Sequence, residues 1–164
     1  MPATFDDFGV RFMYPDNWEV AERTASDDSV GVTIESPDGT FFSFNRYPDL
    51  ASAAELMADV EAAMRSEYDE LEVHVPQCDD AGEGELIRDL QFYYLDLLIV
   101  SRNLIIPDGN DLLLIQMQSE NRDFEKNELV FAAMLKTLRD HLAESAPHRS
   151  ETRLTADPRN AGGV

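Results

Sequence analysis

Cysteine and lysine are both scarce in this chain. The 164 residues include one cysteine, Cys78, so no disulfide can form within the chain. Lys126 and Lys136 are the only lysines among 13 basic residues, against 33 acidic ones, and the formal net charge is −20. A charge of this sign repels phosphate backbones and anionic lipid surfaces. We therefore expect neither nucleic acid nor a membrane as a partner, whereas a basic protein remains compatible with the charge.

Long apolar runs and targeting signals are missing as well. The most apolar windows, YYLDLLIV and LLLIQM, are too short to span a bilayer. The opening MPATFDDFGV has neither the basic start nor the apolar core of a signal peptide. Together with the single cysteine, this indicates a cytoplasmic protein. The 43% hydrophobic content is that of a folded chain, and the length fits one domain.

Motifs of catalysis and of cofactor binding are also absent from the sequence. There is no G-x-S-x-G elbow, and the glycines of AGEGE are flanked by glutamates that would oppose a bound phosphate. His74 and Cys78 lie four residues apart, with Asp79 and Asp80 adjacent, but Pro76 interrupts any helical alignment between them. Structural zinc sites usually have two paired ligand sets, and no second pair exists. We expect no enzyme, no cofactor and no metal site.

Alternating apolar residues and turn signals predict several strands. GVRFMY alternates until Pro15 ends it, and WEVAER is a weaker strand. VGVTIE and FFSFNRY flank the turn SPDGT, which predicts a hairpin over Val30–Tyr47. LEVHV is a further extended segment, and ELIRDLQFYYLD, LLIVSRNLII and DLLLIQMQ supply the longest strands.

Two amphipathic helices complete the pattern. Ser52 and Glu55 form a capping box ahead of an apolar stripe that includes Leu56, Met57, Val60 and Met64. The second helix, FEKNELVFAAMLKTLRDHL, carries an apolar stripe of Phe124, Phe131, Met134, Leu135, Leu138 and Leu142. We expect an α+β fold in which an antiparallel sheet of about six strands is flanked by two main α-helices. The domain would cover residues 1–143, and residues 144–164 would form a disordered tail.

The YPDNW segment, residues 14–18, resembles the YP-x-x-W start of PsbP/DcrB-like domains. The later segments FFSFNRYPD and FAAMLKTLRD are similar to the middle and the closing helix of that family. The family shares its fold with a Ran-binding nuclear import factor and with type VI secretion effector chaperones. The resemblance, from about Thr4 to Leu142, implies an antiparallel sheet flanked by helices. It also implies binding and assembly roles more often than catalysis.

Trp18 is open to two interpretations. It could stack on a ligand from an exposed loop, or it could anchor the end of the first strand to the core. We favour the core anchor, because tryptophan is usually substantially buried and its indole N–H then finds a carbonyl or water.

Four arginines fall inside predicted strands and are candidates for ligand binding: Arg11, Arg46, Arg88 and Arg102. On one sheet face they could gather a small anion through their planar guanidinium groups, in a concave pocket holding at least two of them. The alternative, which we favour, is cross-strand pairing with Glu35, Asp89 or Asp96.

An acidic segment from Glu55 to Glu72 carries seven carboxylates against Arg65. Glu55, Asp59 and Glu67 are candidates for docking a basic partner, although such a run is more often a solvated helix face. Our first hypothesis for the function is a non-enzymatic binding or adaptor module that acts through protein–protein interaction. The alternative is a small-anion or small-molecule binding protein that uses the strand arginines in a cleft between sheet and helix.

Overall fold

The computed structural model describes residues 1–50, 52–77 and 81–155, with side chains described to residue 145. This part of the chain contains nine strands and two helices. In order, they are β1 (Ala3–Asp7), β2 (Val10–Tyr14), β3 (Glu19–Ala25), β4 (Val30–Glu35), β5 (Phe41–Tyr47), α1 (Ala53–Glu67), β6 (Glu72–His74), β7 (Leu86–Tyr94), β8 (Leu97–Asp108), β9 (Asp111–Glu120) and α2 (Asn121–Thr155).

Seven of the strands form one sheet in the order β3-β4-β5-β9-β8-β7-β6, and β1 pairs with β2 in a separate two-stranded sheet. Every neighbouring pair is antiparallel. The predicted α+β class is therefore confirmed, with one more strand in the main sheet than expected and a small second sheet beside it.

The two helices cover opposite faces of the large sheet. One face, which we name the α2 face, packs against α2 and the β1–β2 hairpin. Its buried core includes Phe42, Phe44, Leu113 and Ile115 from the sheet, and Phe131, Met134, Leu135 and Leu138 from α2. Because successive residues of a strand alternate between faces, the intervening positions form the opposite α1 face.

On the α1 face, helix α1 packs over two smaller clusters. Leu56 and Met57 contact Ile105, Leu112 and Leu114, and the next turns of the helix contact a cluster that contains Leu90 and Phe92. The helix begins where the capping box predicted, since the Ser52 hydroxyl accepts a hydrogen bond from the Glu55 backbone N–H at 3.2 Å. This bond satisfies one of the free N–H groups at the helix start.

The predicted hairpin over Val30–Tyr47 is confirmed as the pair β4–β5, whereas β1 is an element that the sequence did not reveal. The turn between β1 and β2 has Phe8 at φ 55° and Gly9 at φ 77°. A phenylalanine in the left-handed region is not a recognised hairpin signal, because glycine or asparagine normally occupies it. Phe8 adopts it while packing partly buried against the core.

Helix α2 is longer than the sequence indicated. It continues to Thr155, so residues 144–155 are helical where a disordered tail was expected, and residues 156–164 lie outside the described part of the chain. Beyond Leu142 the apolar stripe ends and Pro147 follows, which suggested the end of the helix. Five of the twelve residues 144–155 are alanine, glutamate or arginine, which favour a helix, but Pro147, two serines and two threonines oppose it, so local propensity does not account for the continuation. No helix in the described ranges combines the length and apolar character needed to cross a bilayer.

Candidate functional site

Trp18 is part of the core and is not a ligand platform. Its side chain is 7% exposed, and its ring meets the Phe131 ring edge-on, with centroids 6.2 Å apart and an interplanar angle of 83°. The turn before it is closed by a hydrogen bond from the Trp18 backbone N–H to the Pro15 carbonyl at 3.0 Å. The predicted anchor is confirmed: the YPDNW segment ties the end of β2 to helix α2.

Arg46 lies on the α2 face, where it joins two distant turns. Its Nη1 atom lies 2.9 Å from Asp108 Oδ2 and 3.0 Å from Asp111 Oδ2, and its Nε donates to the Phe8 carbonyl at 2.8 Å. The side chain is 12% exposed. A guanidinium that is saturated by two carboxylates and a backbone carbonyl has a structural role, because it connects the β1–β2 turn to the β8–β9 turn.

Arg102 is also on the α2 face and is also paired. Its Nε donates to Asp89 Oδ1 at 2.8 Å, its Nη2 to Asp89 Oδ2 at 3.0 Å, and its guanidinium carbon lies 5.0 Å from the centroid of the Phe124 ring. Asp89 is directly opposite Arg102 in the register of β7 and β8. The cross-strand pairing that the sequence favoured is therefore present for Arg102, with Asp89 as the partner.

Arg88 points to the opposite face of the sheet. It alternates with Asp89 along β7 and shares the α1 face with Leu90 and Phe92. Its Nη1 donates to the Ile87 carbonyl at 2.7 Å, and no carboxylate pairs with it in the described part of the chain. Arg11 is in the small sheet, exposed on β2.

The structure does not bring these four guanidinium groups into one cleft. Arg102 lines a pocket with Phe124 and Glu128, and Arg11 lines a different one with His141 and Glu144. The reason lies in strand alternation and register: Arg88 and Arg102 are on neighbouring strands, but Arg88 is opposite Asn103, so the two arginines face opposite sides of the sheet. The expectation of a shared anion pocket is corrected accordingly.

A row of polar side chains crosses the α1 face and ends at Arg88. The registers place its members side by side on five neighbouring strands: Thr33, Ser43, Gln116, Asn103 and Arg88. Gln116 Nε2 donates to Asn103 Oδ1 at 2.9 Å, and Thr33 Oγ1 lies 3.3 Å from Ser43 Oγ. Within each of these two pairs the polar groups satisfy one another, as burial of polar atoms within a sheet requires.

The candidate metal ligands are not assembled in the described residues. His74 is exposed and lies 3.2 Å from Glu72, whereas Cys78, Asp79 and Asp80 lie outside the described ranges. No group of three histidine, cysteine, aspartate or glutamate side chains within those ranges is arranged to hold an ion. The three acidic candidates on α1, Glu55, Asp59 and Glu67, are all exposed.

An apolar groove on the outer side of α2 is the most distinctive concave surface that the sequence did not indicate. It has a volume of about 410 Å³ and runs between the end of β2 and helix α2. The lining residues are almost all apolar: Pro2, Met13, Tyr14, Pro15, Leu129, Val130, Ala133, Met134 and Thr137. Leu129 is 81% exposed. One sequence signal could have found it, because Leu129 is a large apolar residue outside the stripe that faces the sheet.

The comparisons with known proteins give a fold and not an activity. No protein-family model matches the chain, and no curated protein matches its sequence. Among solved structures, it is similar to the cyanobacterial PsbP protein (CyanoP) of Synechocystis sp. PCC 6803, with a TM-score of 0.50 and 13% identity over 83% of this chain and 90% of that one.

Two further solved structures are similar with lower scores. Protein of Unknown Function PA94 from Pseudomonas aeruginosa has a TM-score of 0.47 and 15% identity over 84% of this chain and 95% of that one. LpqN, involved in cell envelope biogenesis of Mycobacterium tuberculosis, has a TM-score of 0.48 and 10% identity over 83% of this chain and 87% of that one. The chain thus has a PsbP-like α+β fold, as its YPDNW segment predicted.

Proposed function

We propose that this protein is a non-enzymatic binding module that takes up an amphipathic, basic helix of a partner protein in the groove beside α2. The observation that carries the proposal is the groove itself, a concave surface whose wall includes the exposed Leu129 and Met13. An exposed apolar concavity is where side chains of a partner can be buried, and methionine adapts its shape to them.

The geometry of β2 favours a helical occupant over an extended one. The outward N–H groups of Arg11 and Met13 already donate to His141 Nδ1 at 3.2 Å and to Thr137 Oγ1 at 2.9 Å. An added strand would find no free donors at these two positions. Affinity must then come from side chains packed into the groove, which is how amphipathic helices bind.

The charge of the chain favours a basic occupant. A net charge of −20 repels a second copy of the same chain, whereas it attracts a positively charged segment and speeds its encounter with the groove. The partner helix would therefore carry apolar residues on one face and lysine or arginine on the other.

A peptide titration tests this proposal. The probe is a helical peptide of about 18 residues with leucines on one face and lysines on the other, and its twin has glutamates in place of the lysines. We expect the lysine peptide to bind with a Kd on the order of 10–100 μM, weakening as salt is raised, and the glutamate twin not to bind.

Two matched variants locate the binding. Ala133→Gln fills the groove, and Ala132→Gln places the same side chain one residue away, on a position that lines a different pocket. Both alanines are exposed on α2, so neither change disturbs the core. Ala133→Gln should weaken binding at least about tenfold and Ala132→Gln less than about threefold. Equal effects of the two variants, or no binding of the lysine peptide, would refute the proposal.

A further inference from the structure

The tip of the β7–β8 hairpin is the densest group of exposed apolar side chains in the described chain. We name Tyr93, Tyr94, Leu95 and Leu97 the hairpin tip. Their exposed fractions are 58%, 55%, 81% and 39%, and the described part of the chain has no other five-residue window with as many large exposed apolar residues. Tyr94 pairs with Leu97 across the hairpin, so Leu95 and Asp96 form a two-residue turn.

The backbone of Leu95 is unusual for its residue type. Its φ is 55°, in the left-handed region that a bulky aliphatic residue rarely adopts. The other non-glycine residues with positive φ in the described ranges are Phe8 and Asp49. Phe8 packs partly buried on the core, and aspartate tolerates this conformation. Leu95 has neither explanation, since it is exposed and its side chain contributes nothing to the core.

The hairpin tip is held on a rigid support. Phe92, two residues before Tyr94, is buried and stacks on Tyr68 at the end of α1, with ring centroids 4.1 Å apart. The register between β7 and β8 continues without a shift to the last pair, Tyr94 and Leu97. Side chains on a supported strand end lose little conformational freedom on binding.

We propose that the hairpin tip is a second docking surface, which inserts into an apolar pocket of a partner protein rimmed by lysine or arginine. A convex tip of tyrosine and leucine needs a concave apolar host, and tyrosine is enriched among the residues that dominate binding energy. The rim of the partner's pocket would be basic, because it would face the Asp96 carboxylate at the apex of the turn and a chain with a net charge of −20. This surface shares no residue with the groove beside α2.

The Asp96 carboxylate and the net charge of the chain disfavour two other partners, a lipid bilayer and a second copy of the chain. Insertion into a bilayer would carry the Asp96 carboxylate with the tip into a medium where an ionised side chain is costly. Packing of two hairpin tips from two copies would bring two Asp96 carboxylates together, with like net charges behind them.

Photo-crosslinking from the tip is the first test. Benzoylphenylalanine replaces Tyr94 in the full chain, and, as a control, Asp38 in the exposed turn between β4 and β5. In the cells that produce the protein, position 94 should give a crosslink that position 38 does not give. The crosslinked protein, once purified, should bind the unlabelled chain with an affinity that falls at least about tenfold between 50 and 500 mM NaCl.

The variant Leu95→Gly separates docking from folding. Glycine adopts φ 55° without strain, so it should leave the unfolding temperature unchanged or raise it by about 2–4 °C. Binding of the crosslinked partner should weaken at least about tenfold, because the apex side chain is gone. Ala133→Gln, which blocks the groove, should leave this binding intact, so the two proposals can fail independently.

Each opposing outcome overturns the proposal. A lower unfolding temperature for Leu95→Gly with unchanged binding would assign the tip a structural role. Sedimentation of the wild type with phosphatidylcholine vesicles, lost in Leu95→Gly, would make it a membrane element. A crosslink to a second copy, or no crosslink specific to position 94, would equally exclude the partner proposed here.

Discussion

Thr137 Oγ1 accepts a hydrogen bond from the Met13 backbone N–H at 2.9 Å, across 124 positions of sequence. One helical turn further on, His141 Nδ1 accepts from the Arg11 N–H at 3.2 Å. Four residues of a helix rise about 6 Å and two residues of a strand about 6.8 Å, so the two repeats match. Helix α2 thus pairs with two outward N–H groups of β2 that a neighbouring strand would otherwise bind.

The first prediction concerns this contact. Thr137→Val keeps the shape of the side chain but removes the acceptor, so the Met13 N–H loses its partner. We expect the free energy of unfolding to fall by about 1–2 kcal/mol, measured by denaturant titration, and the Met13 amide to exchange faster with solvent. Thr137→Ser retains the hydroxyl and should recover most of the loss. If valine and serine destabilised the protein equally, the hydrogen bond would not be the cause.

The second prediction concerns Arg46. Arg46→Met leaves Asp108 and Asp111 without the guanidinium they share, in a site where Arg46 is 12% exposed. We expect a loss of about 3 kcal/mol in the free energy of unfolding, because two neighbouring, partly buried carboxylates lose the cation that they share. The control is Arg23→Met, which removes the exposed ion pair with Asp7 and the contacts of the guanidinium with the Phe5 and Phe8 rings. It should lower the free energy of unfolding by about 1 kcal/mol. Similar losses for the two variants would argue against a special role of the Arg46 network.

The third prediction concerns Tyr68 and alkaline pH. Burial first, then the charges of Glu67 and Tyr94, raise the pKa of Tyr68 above its ordinary value of 10.0. A tyrosine whose pKa is higher in the folded than in the unfolded state stabilises the fold fully below about pH 10, and that contribution is lost as the pH rises through the folded pKa.

Replacing Glu67 checks the cause of this shift. Glu67→Gln should lower the pKa of Tyr68 without returning it to the ordinary value, since burial is the larger cause. Glu55→Gln, at the other end of α1, should leave it unchanged. The measurement is an NMR titration of tyrosines labelled at the ring carbon that carries the hydroxyl. A Tyr68 pKa that responds equally to both changes would contradict the assignment to Glu67.

The features predicted correctly from the sequence are those decided by local chemistry. The SPDGT turn, the Ser52 cap and the apolar stripe of α2 each depend on residues within a few positions of one another. Trp18 could be placed in the core because an indole of that size is rarely left exposed. The YPDNW segment then linked these local signals to a known fold.

The features that the sequence could not give depend on register between distant strands. Alternation shows that Arg88 and Asp89 face opposite sides of the sheet, but only the pairing of β7 with β8 shows that Asp89 meets Arg102. Strand β1 was missed because its turn uses Phe8, whose conformation is set by packing against the core. One sequence signal marks the hairpin tip: from Tyr93 to Leu98 the chain passes through a turn with Asp96 as its only charged residue and without glycine or proline.

The contacts between β2 and α2 also determine when the N-terminal hairpin can finish packing during translation. The N-terminal hairpin is made first, yet its docking surface includes Phe131, Thr137 and His141, which are synthesised last among its partners. During translation, Phe12 can pack on Phe42 of β5 and Phe5 can pack under Arg23, but the side of the hairpin that contacts α2 stays uncovered until α2 emerges. A nascent chain interrupted before α2 would lack this cover and would expose apolar surface of the kind that chaperones and proteases recognise.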